Sequence, residues 1–184
     1  MTKNDLLQGK SIALRAVEPE DASIMWLIDN DSSQWIDNCM TAPLSRESML
    51  VYASTYDADP MRSGEIRLII ETEGIPGGDG RKRIPAGIID VTEISSTQSR
   101  AFIGVYIRPE HRRRGLALDS LITVEKYLAN VLNLERIGAK ISSDNRASVS
   151  LFEKAGYNLS GNLMNWIKSG KKYADLLIYV KEIG

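Results

Sequence analysis

The sequence predicts a mixed α/β fold organised around one strand and the long helix that follows it. Phe102–Ile107 is an apolar run rich in β-branched and aromatic residues, which is typical of a buried strand, and Pro109 ends it. After a basic loop, apolar residues recur at helical spacing from Leu118 to Val131. A turn at Ser169–Lys172 between two further strand patterns predicts a C-terminal hairpin.

The remaining elements follow in chain order. Before the central strand, the patterns predict a strand, two helices and two strands, at Ser11–Val17, from Pro19, from Ser45 to about Asp57, at Glu65–Glu71 and at Pro85–Ile94. After the long helix they predict a strand, a short helix and the hairpin, at Arg136–Ile141, Asn145–Ala155, Leu159–Ile167 and Tyr173–Val180. The order is βααβββαβαββ, and we expect residues 1–184 to form a single domain.

Composition restricts the class of protein. A hydrophobic fraction of 43%, a charged fraction of 26% and a formal net charge of −1 are ordinary for a globular protein and give no bulk attraction to nucleic acid or membrane. The single cysteine, Cys39, excludes an internal disulfide, and the single histidine, His111, argues against a zinc site. Without a signal-peptide pattern or a membrane span, we expect a cytoplasmic protein without a metal.

The loop before the long helix predicts an anion site. It contains Arg112, Arg113 and Arg114, and the first N–H groups of the helix would face it. Gly115 lets a ligand approach the backbone, and Ala117 leaves the first turn uncrowded. The loop lacks both the Gly-Lys-Ser/Thr of a Walker motif and the three glycines of a dinucleotide-binding motif. A pyrophosphate fits this site, and the alternatives are a solvated basic loop and a nucleic-acid patch.

Three segments of the chain resemble the GNAT N-acetyltransferase superfamily, which binds acetyl-coenzyme A. Arg112–Ala117 (RRRGLA) fits the R/Q-x-x-G-x-G/A signature of the superfamily, and Asn145–Tyr157 resembles its N-x-x-S…LFEKxGF segment. Leu14–Asp21 (LRAVEPED) resembles the LRxxxPEDA opening of the branch that acts on polyamines and protein N-termini. The resemblance covers nearly the whole chain and implies a GNAT-like domain with a central mixed, mostly antiparallel sheet flanked by helices.

The resemblance also implies which residues bind acetyl-CoA. Backbone N–H groups of the central strand, around Val105 and Ile107, would bind the thioester oxygen, and this strand would splay from the fifth strand to admit pantetheine. The phosphates would bind the loop through Arg112, Arg113, Arg114, Gly115, Leu116 and Ala117. Asn145 would contact coenzyme A or an ordered water, and it also suits a helix N-cap on its own account.

The proton-transfer groups are less clearly marked. Polyamine-acetylating relatives carry a glutamate where this chain has Phe102, and some branches carry a tyrosine where it has Phe152. The remaining candidates are Ser148 as the acid that protonates the thiolate and Glu93 as the base. The alternatives are that Ser148 only fills the first turn of its helix and that Glu93 is a surface residue.

Candidate acceptor residues come from two separate stretches of the sequence. Trp35 and Asp31, with Asp29 and Asp37 nearby, follow the first helix, and Tyr173 lies in the C-terminal hairpin. For the aromatic residues the alternative is packing, and for the acidic residues it is solvation.

The leading hypothesis is an N-acetyltransferase that moves an acetyl group from acetyl-CoA to a primary amine by direct attack. The acceptor would be a small-molecule polyamine or a protein N-terminus, with no nucleic-acid or membrane partner, and the candidate assembly is a homodimer. One alternative is a coenzyme A-binding regulatory module without turnover, which Phe102 and Phe152 would favour. Another is a nucleic-acid-binding protein, which the near-zero net charge disfavours.

Overall fold

The computed structural model describes residues 6–31, 42–57, 59–74, 83–169 and 171–184. Seven strands form one sheet in the order β1-β2-β3-β4-β5-β7-β6. They are β1 (Ile12–Ala16), β2 (Ile66–Glu73), β3 (Arg83–Ser95), β4 (Arg100–Ile107), β5 (Arg136–Ser142), β6 (Asn158–Ser169) and β7 (Lys172–Glu182). β4 pairs with β5 in parallel, and the other neighbouring strands pair antiparallel. The mixed, mostly antiparallel sheet that the resemblance implied is confirmed.

The helices lie where the sequence predicts them, with one addition. They are α1 (Ala22–Asp29), α2 (Arg46–Thr55), α3 (Pro60–Ser63), α4 (Leu116–Leu132) and α5 (Arg146–Lys154). The side chains of Ser45 and Asn145 accept hydrogen bonds from the N–H groups three residues later, so both predicted N-caps are confirmed. The single turn α3 was not predicted, because four residues are too few to show a periodic pattern.

Hydrophobic layers cover both faces of the sheet. On one side, α4 packs Leu121, Val124 and Leu128 into the larger core, to which α5 contributes Phe152. On the other, α1 and α2 form a smaller core in which Met25 is completely buried. This second side of the sheet is called the α1–α2 face below, and Tyr106 of β4 packs against it.

β4 and β5 separate soon after they begin to pair. Their ladder joins Arg100–Phe102 to Arg136–Gly138 and goes no further. Beyond this point β4 runs on to Ile107 and β5 to Ser142 without pairing to each other, which leaves a wedge-shaped gap between them. The predicted splay is therefore present, and the gap opens toward the basic loop that follows β4.

Two searches of the described part of the chain gave negative results. No helix there combines the length and the apolar character that are needed to cross a lipid bilayer. No group of three or more His, Cys, Asp or Glu side chains in the same residues is arranged to hold a metal ion.

Candidate active site

The helix α4 begins with an uncapped N-terminus. Gly115 is its N-cap residue, with φ of 78°, and no side chain accepts a hydrogen bond from the first turn. A Cβ atom at Gly115 would have no atom within 4 Å, so the space in front of the helix is open. The left-handed backbone here favours glycine, and it turns the chain so that the first N–H groups of α4 face this space. An anion can approach these groups closely.

The basic loop and α5 line one cleft. Its walls include predicted coenzyme residues together with two residues of α5, and they are Ile107, His111, Arg112, Arg113, Gly115, Leu116, Ala117, Leu118, Leu151 and Lys154. Lys154 is a functional candidate that the sequence analysis missed. Its signal was its position three residues after Leu151, which puts both side chains on one face of the helix.

The arginines of the loop point in different directions. Arg112 donates from Nε to the backbone oxygen of Ile107 at 2.8 Å, and its guanidinium lies 5.4 Å from the centroid of the Tyr106 ring. Arg114 turns away from the cleft, with Nη1 3.4 Å from His111 Nδ1. Arg113 has φ of 60° and an exposed side chain. Arg112 and Arg113 therefore bring charge to the cleft, whereas Arg114 offers it mainly a backbone N–H.

His111 supports this arrangement from below. Its side chain is buried, with an exposed fraction of 5% for the residue. Burial lowers the pKa of His111, and the nearby charges of Arg108 and Arg114 lower it further. A neutral imidazole can accept a hydrogen bond from Arg114, which a protonated ring could not do.

The backbone of β4 directs donors into the gap. Arg108 donates its N–H to the oxygen of Ala86 on β3 at 2.9 Å. Because donors alternate along a strand, the N–H groups of Ile107 and Val105 turn to the opposite side, toward the gap between β4 and β5. The same alternation places Tyr106 and Gly104 on the α1–α2 face.

The α1–α2 face is open beside β4. A Cβ atom at Gly104 would have no neighbour within 4 Å, so there is room above the strand at this point. Next to this space, Tyr106 donates from its hydroxyl to Asp31 Oδ2 at 2.9 Å. Tyr106 was not among the predicted site residues, although a hydroxyl in an otherwise apolar strand was a signal for it.

A cluster of charges lies on the same face. Arg67 of β2 donates to Asp29 at 2.8 Å and to Asp90 at 2.7 and 3.0 Å. Burial acts to lower the pKa of Arg67, but Asp90 and Asp29 outweigh it and raise the pKa well above its ordinary value. Because one guanidinium faces two carboxylates, the cluster carries surplus negative charge.

The predicted base, Glu93, is engaged by a cation. It lies at a bulge of β3, has φ of 52°, and accepts a hydrogen bond from Lys140 Nζ. The same ammonium lies 4.2 Å from the centroid of the Phe102 ring. Gly138 makes room for that ring, since a Cβ atom there would lie 2.7 Å from it.

The predicted acid, Ser148, lies in the first turn of α5. Its N–H donates to Asn145 Oδ1 at 3.1 Å. Ser148 is half-buried and precedes Leu151 of the cleft by three residues, so both belong to one face of the helix. Phe152, in contrast, is buried in the core and contacts Tyr157 edge to face, with ring centroids 4.9 Å apart.

Two of the predicted acceptor residues are not brought to this site by the described structure. Tyr173 lies on β7 opposite Lys168, close to the turn of the C-terminal hairpin, and is 58% exposed. Trp35 lies outside the described residues, as do Asp37 and Cys39. Asp31 is the predicted acceptor residue for which the structure gives a defined partner.

Comparisons with known proteins agree with this architecture. The model of the Acetyltransferase (GNAT) domain family matches residues 11–158. Spermidine N(1)-acetyltransferase of Escherichia coli (strain K12) is 27% identical over 84% of this chain and 77% of its own. The uncharacterized N-acetyltransferase YoaA of Bacillus subtilis (strain 168) is 34% identical over 58% of this chain and 59% of its own.

Solved structures share the fold. The crystal structure of spermidine N-acetyltransferase from Vibrio cholerae in complex with CoA and spermine has a TM-score of 0.76 and 21% identity, over 94% of this chain and 95% of that chain. A dodecameric structure of spermidine N-acetyltransferase from the same organism, in an intermediate state, has a TM-score of 0.74 and 22% identity, over 94% of both chains. Similarity at these identities shows that the fold is common to these chains.

Proposed function

This chain belongs to the GNAT acetyltransferase family, and we propose that it transfers an acetyl group from acetyl-CoA to a primary amine of a polyamine. Membership of the family makes it an enzyme of acyl transfer. The hypothesis of a regulatory module without turnover loses one of its supports, because Phe152 is a core residue and its type is explained by packing.

The cleft supports a site for the coenzyme. We infer that the pyrophosphate binds the open N–H groups at the start of α4, where Arg112, Arg113 and Lys154 add positive charge. Pantetheine would then run along the gap between β4 and β5, past the apolar side chain of Leu151. Asn145 holds the first turn of α5 at the edge of this path.

The same geometry supports direct transfer. A neutral amine attacks the thioester carbon, so that a C–N bond forms while the oxygen gains negative charge. The N–H groups of Val105 and Ile107 would stabilise that oxygen. The C–S bond then breaks, and the hydroxyl of Ser148 would give its proton to the departing thiolate while the nitrogen loses a proton to Glu93 or to water. The proton taken by Glu93 or water passes to solvent, and Ser148 regains one from solvent.

The observation that carries the choice of acceptor is the surplus negative charge on the α1–α2 face. Asp29 and Asp90 share one guanidinium, and Asp31 adds a further carboxylate beside β4. A surface of this kind attracts a polycation, whereas a protein N-terminus brings a single positive charge. The names of the curated relatives agree with a polyamine acceptor.

The other predictions about partners rest on weaker observations. Trp35 and Tyr173 stay predicted acceptor residues, and the cytoplasmic location stays a prediction from the sequence. The predicted homodimer is supported by the edge strand β6, which exposes large apolar side chains, among them Leu163, Met164 and Trp166.

The proposal is tested with the purified protein, acetyl-CoA and a panel of amines, with detection of the free thiol of released CoA. We expect release with spermidine and spermine and little release with peptides that present only an α-amino group. Mass spectrometry should show the acetyl group on nitrogen. Acetylated peptides together with inert polyamines would overturn the proposed acceptor.

A further inference from the structure

Tyr106 lies between the coenzyme loop and the acidic face of the molecule. The Arg112 guanidinium lies over one part of its ring, and its hydroxyl donates to Asp31 Oδ2 at 2.9 Å. The neighbouring residue on the same face of β4, Gly104, borders open space. Asp31 therefore lies next to the space through which an acceptor would reach the gap.

The charge of Asp31 limits what it can bind during the reaction. A carboxylate stabilises the protonated form of a nearby amine, but only a neutral amine can attack a thioester. Asp31 is therefore poorly suited to hold the reacting nitrogen itself. It is well suited to hold a second nitrogen that keeps its charge.

We propose that Tyr106 is a specificity-determining residue whose hydroxyl fixes the Asp31 carboxylate, so that the pair binds a second, non-reacting ammonium group of the acceptor. This inference rests on the proposed function and narrows it, because it requires an acceptor with at least two amino groups. It also assigns a role to a residue that lies in the strand of the reacting thioester.

The chemistry of the pair fits this role. Burial raises the pKa of the Tyr106 phenol, and the hydrogen bond to Asp31 raises it further, so the hydroxyl stays protonated and donates. A carboxylate can accept several hydrogen bonds, so the bond from Tyr106 does not prevent it from binding an ammonium group.

The surroundings of Asp31 also favour a cation. It directly follows the end of α1, and its N–H donates to the oxygen of Ile28 in the last turn. The C-terminal end of a helix carries partial negative charge, which adds to that of the carboxylate. The nearest described guanidinium of the charge cluster, Arg67, is matched by Asp29 and Asp90 and does not offset this charge.

The test compares 1,4-diaminobutane with 1-aminobutane, which differ in the second amino group. We expect the wild-type protein to have the higher kcat/KM with the diamine. Asp31→Asn should lower the ratio of the two kcat/KM values about tenfold, mainly through KM for the diamine, as expected for a charge-assisted hydrogen bond. Tyr106→Phe keeps the ring under Arg112 and should lower the ratio about threefold, as expected for one neutral hydrogen bond.

The controls separate specificity from damage to the fold. Glu182→Gln removes a carboxylate on β7 that pairs with Arg136, away from this face, and should keep the wild-type ratio. Calorimetry should give unchanged acetyl-CoA affinity in Tyr106→Phe. A purely structural role of the pair would reduce the rates with both amines equally and leave the ratio unchanged, and that result would overturn the inference.

The two proposals fail in different ways. If the wild-type protein prefers the diamine and both variants keep its ratio, the proposed function stands and the role of Tyr106 and Asp31 is wrong. If the wild-type protein acetylates neither amine and no polyamine, the proposed acceptor is wrong and this inference falls with it.

Discussion

The ammonium of Lys140 lies 4.2 Å from the centroid of the Phe102 ring. Phe102 occupies the position at which polyamine-acetylating relatives would carry a glutamate, so a cation resting on an aromatic ring stands where a base was expected. Lys140 also holds the carboxylate of Glu93, which brings the remaining acidic candidate to the same place. The three side chains make this region a testable part of the site.

The first prediction concerns Glu93 as the base. Glu93→Gln removes the carboxylate charge but keeps the size of the side chain, and we expect kcat to fall about 10²–10⁴-fold, as for other general bases. The acidic limb of the pH–rate profile should become flat. Lys140→Met is the companion variant, because it removes the partner and keeps the carboxylate. A Glu93→Gln enzyme with a wild-type profile would show that water takes the proton.

The second prediction concerns the anion site at α4. Gly115→Glu should abolish acetyl-CoA binding in calorimetry, because a carboxylate would enter the open space where the phosphates are expected to bind. Gly115→Ala is the matched control, since it adds the strain of φ 78° without charge, at a cost of about 1–2 kcal/mol in stability. Equal affinity in the glutamate variant and the wild type would remove the basis of the proposed coenzyme site.

Local patterns were enough to predict most of the fold. The caps Ser45 and Asn145 act on N–H groups three residues away, so the sequence contains the whole interaction. The strand, loop and helix around Gly115 are also continuous in sequence. The ladder between β4 and β5, in contrast, could be predicted only through the family resemblance.

The acceptor side was harder to predict for a physical reason. Tyr106 and Asp31 are separated by 75 positions, and Arg67 joins Asp29 to Asp90 across α1, β2 and β3. No local period or motif records contacts of this kind, which arise when the helices pack on the sheet. Asp31 was predicted from its charge alone, and its partner became apparent in the folded chain.

The third prediction concerns Ser148 as the acid. Ser148→Ala should lower kcat and leave acetyl-CoA affinity unchanged, because the hydroxyl would act on the departing thiolate and the backbone cap to Asn145 would remain. Ser150→Ala, on the exposed side of the same helix, is the matched control and should keep wild-type activity. Single-turnover rates are the measurement, and equal rates in the two variants would exclude Ser148 from proton transfer.

The fourth prediction concerns pH and the buried His111. Its pKa is lowered in the folded protein, so the unfolded chain binds a proton more readily as the pH falls through the ordinary histidine value of about 6.5. The free energy of unfolding should therefore decrease with falling pH below that value, and the contribution should be fully present above it. Urea unfolding at pH 7.5 and 5.5 measures this decrease, and His111→Gln should reduce it. An identical decrease in the variant would assign the effect to other groups.

The last prediction concerns a buried ion pair beneath α4. Lys181 donates to Glu125 Oε2 at 2.5 Å and to the oxygen of Ala155 at 2.8 Å, and the Glu125 side chain is only 8% exposed. Lys181→Met leaves this carboxylate buried without its cation, so we expect unfolding to become easier by about 3–5 kcal/mol.

Two further variants distinguish loss of the partner from loss of packing at this ion pair. The double variant Glu125→Leu/Lys181→Met removes both charges and should recover most of the stability, because an apolar pair no longer carries a desolvated carboxylate. Arg136→Met breaks the exposed pair with Glu182 and should cost less than about 1 kcal/mol. Urea denaturation gives all three values. If the double variant is as unstable as Lys181→Met alone, the contribution of Lys181 comes from its packing and not from its charge.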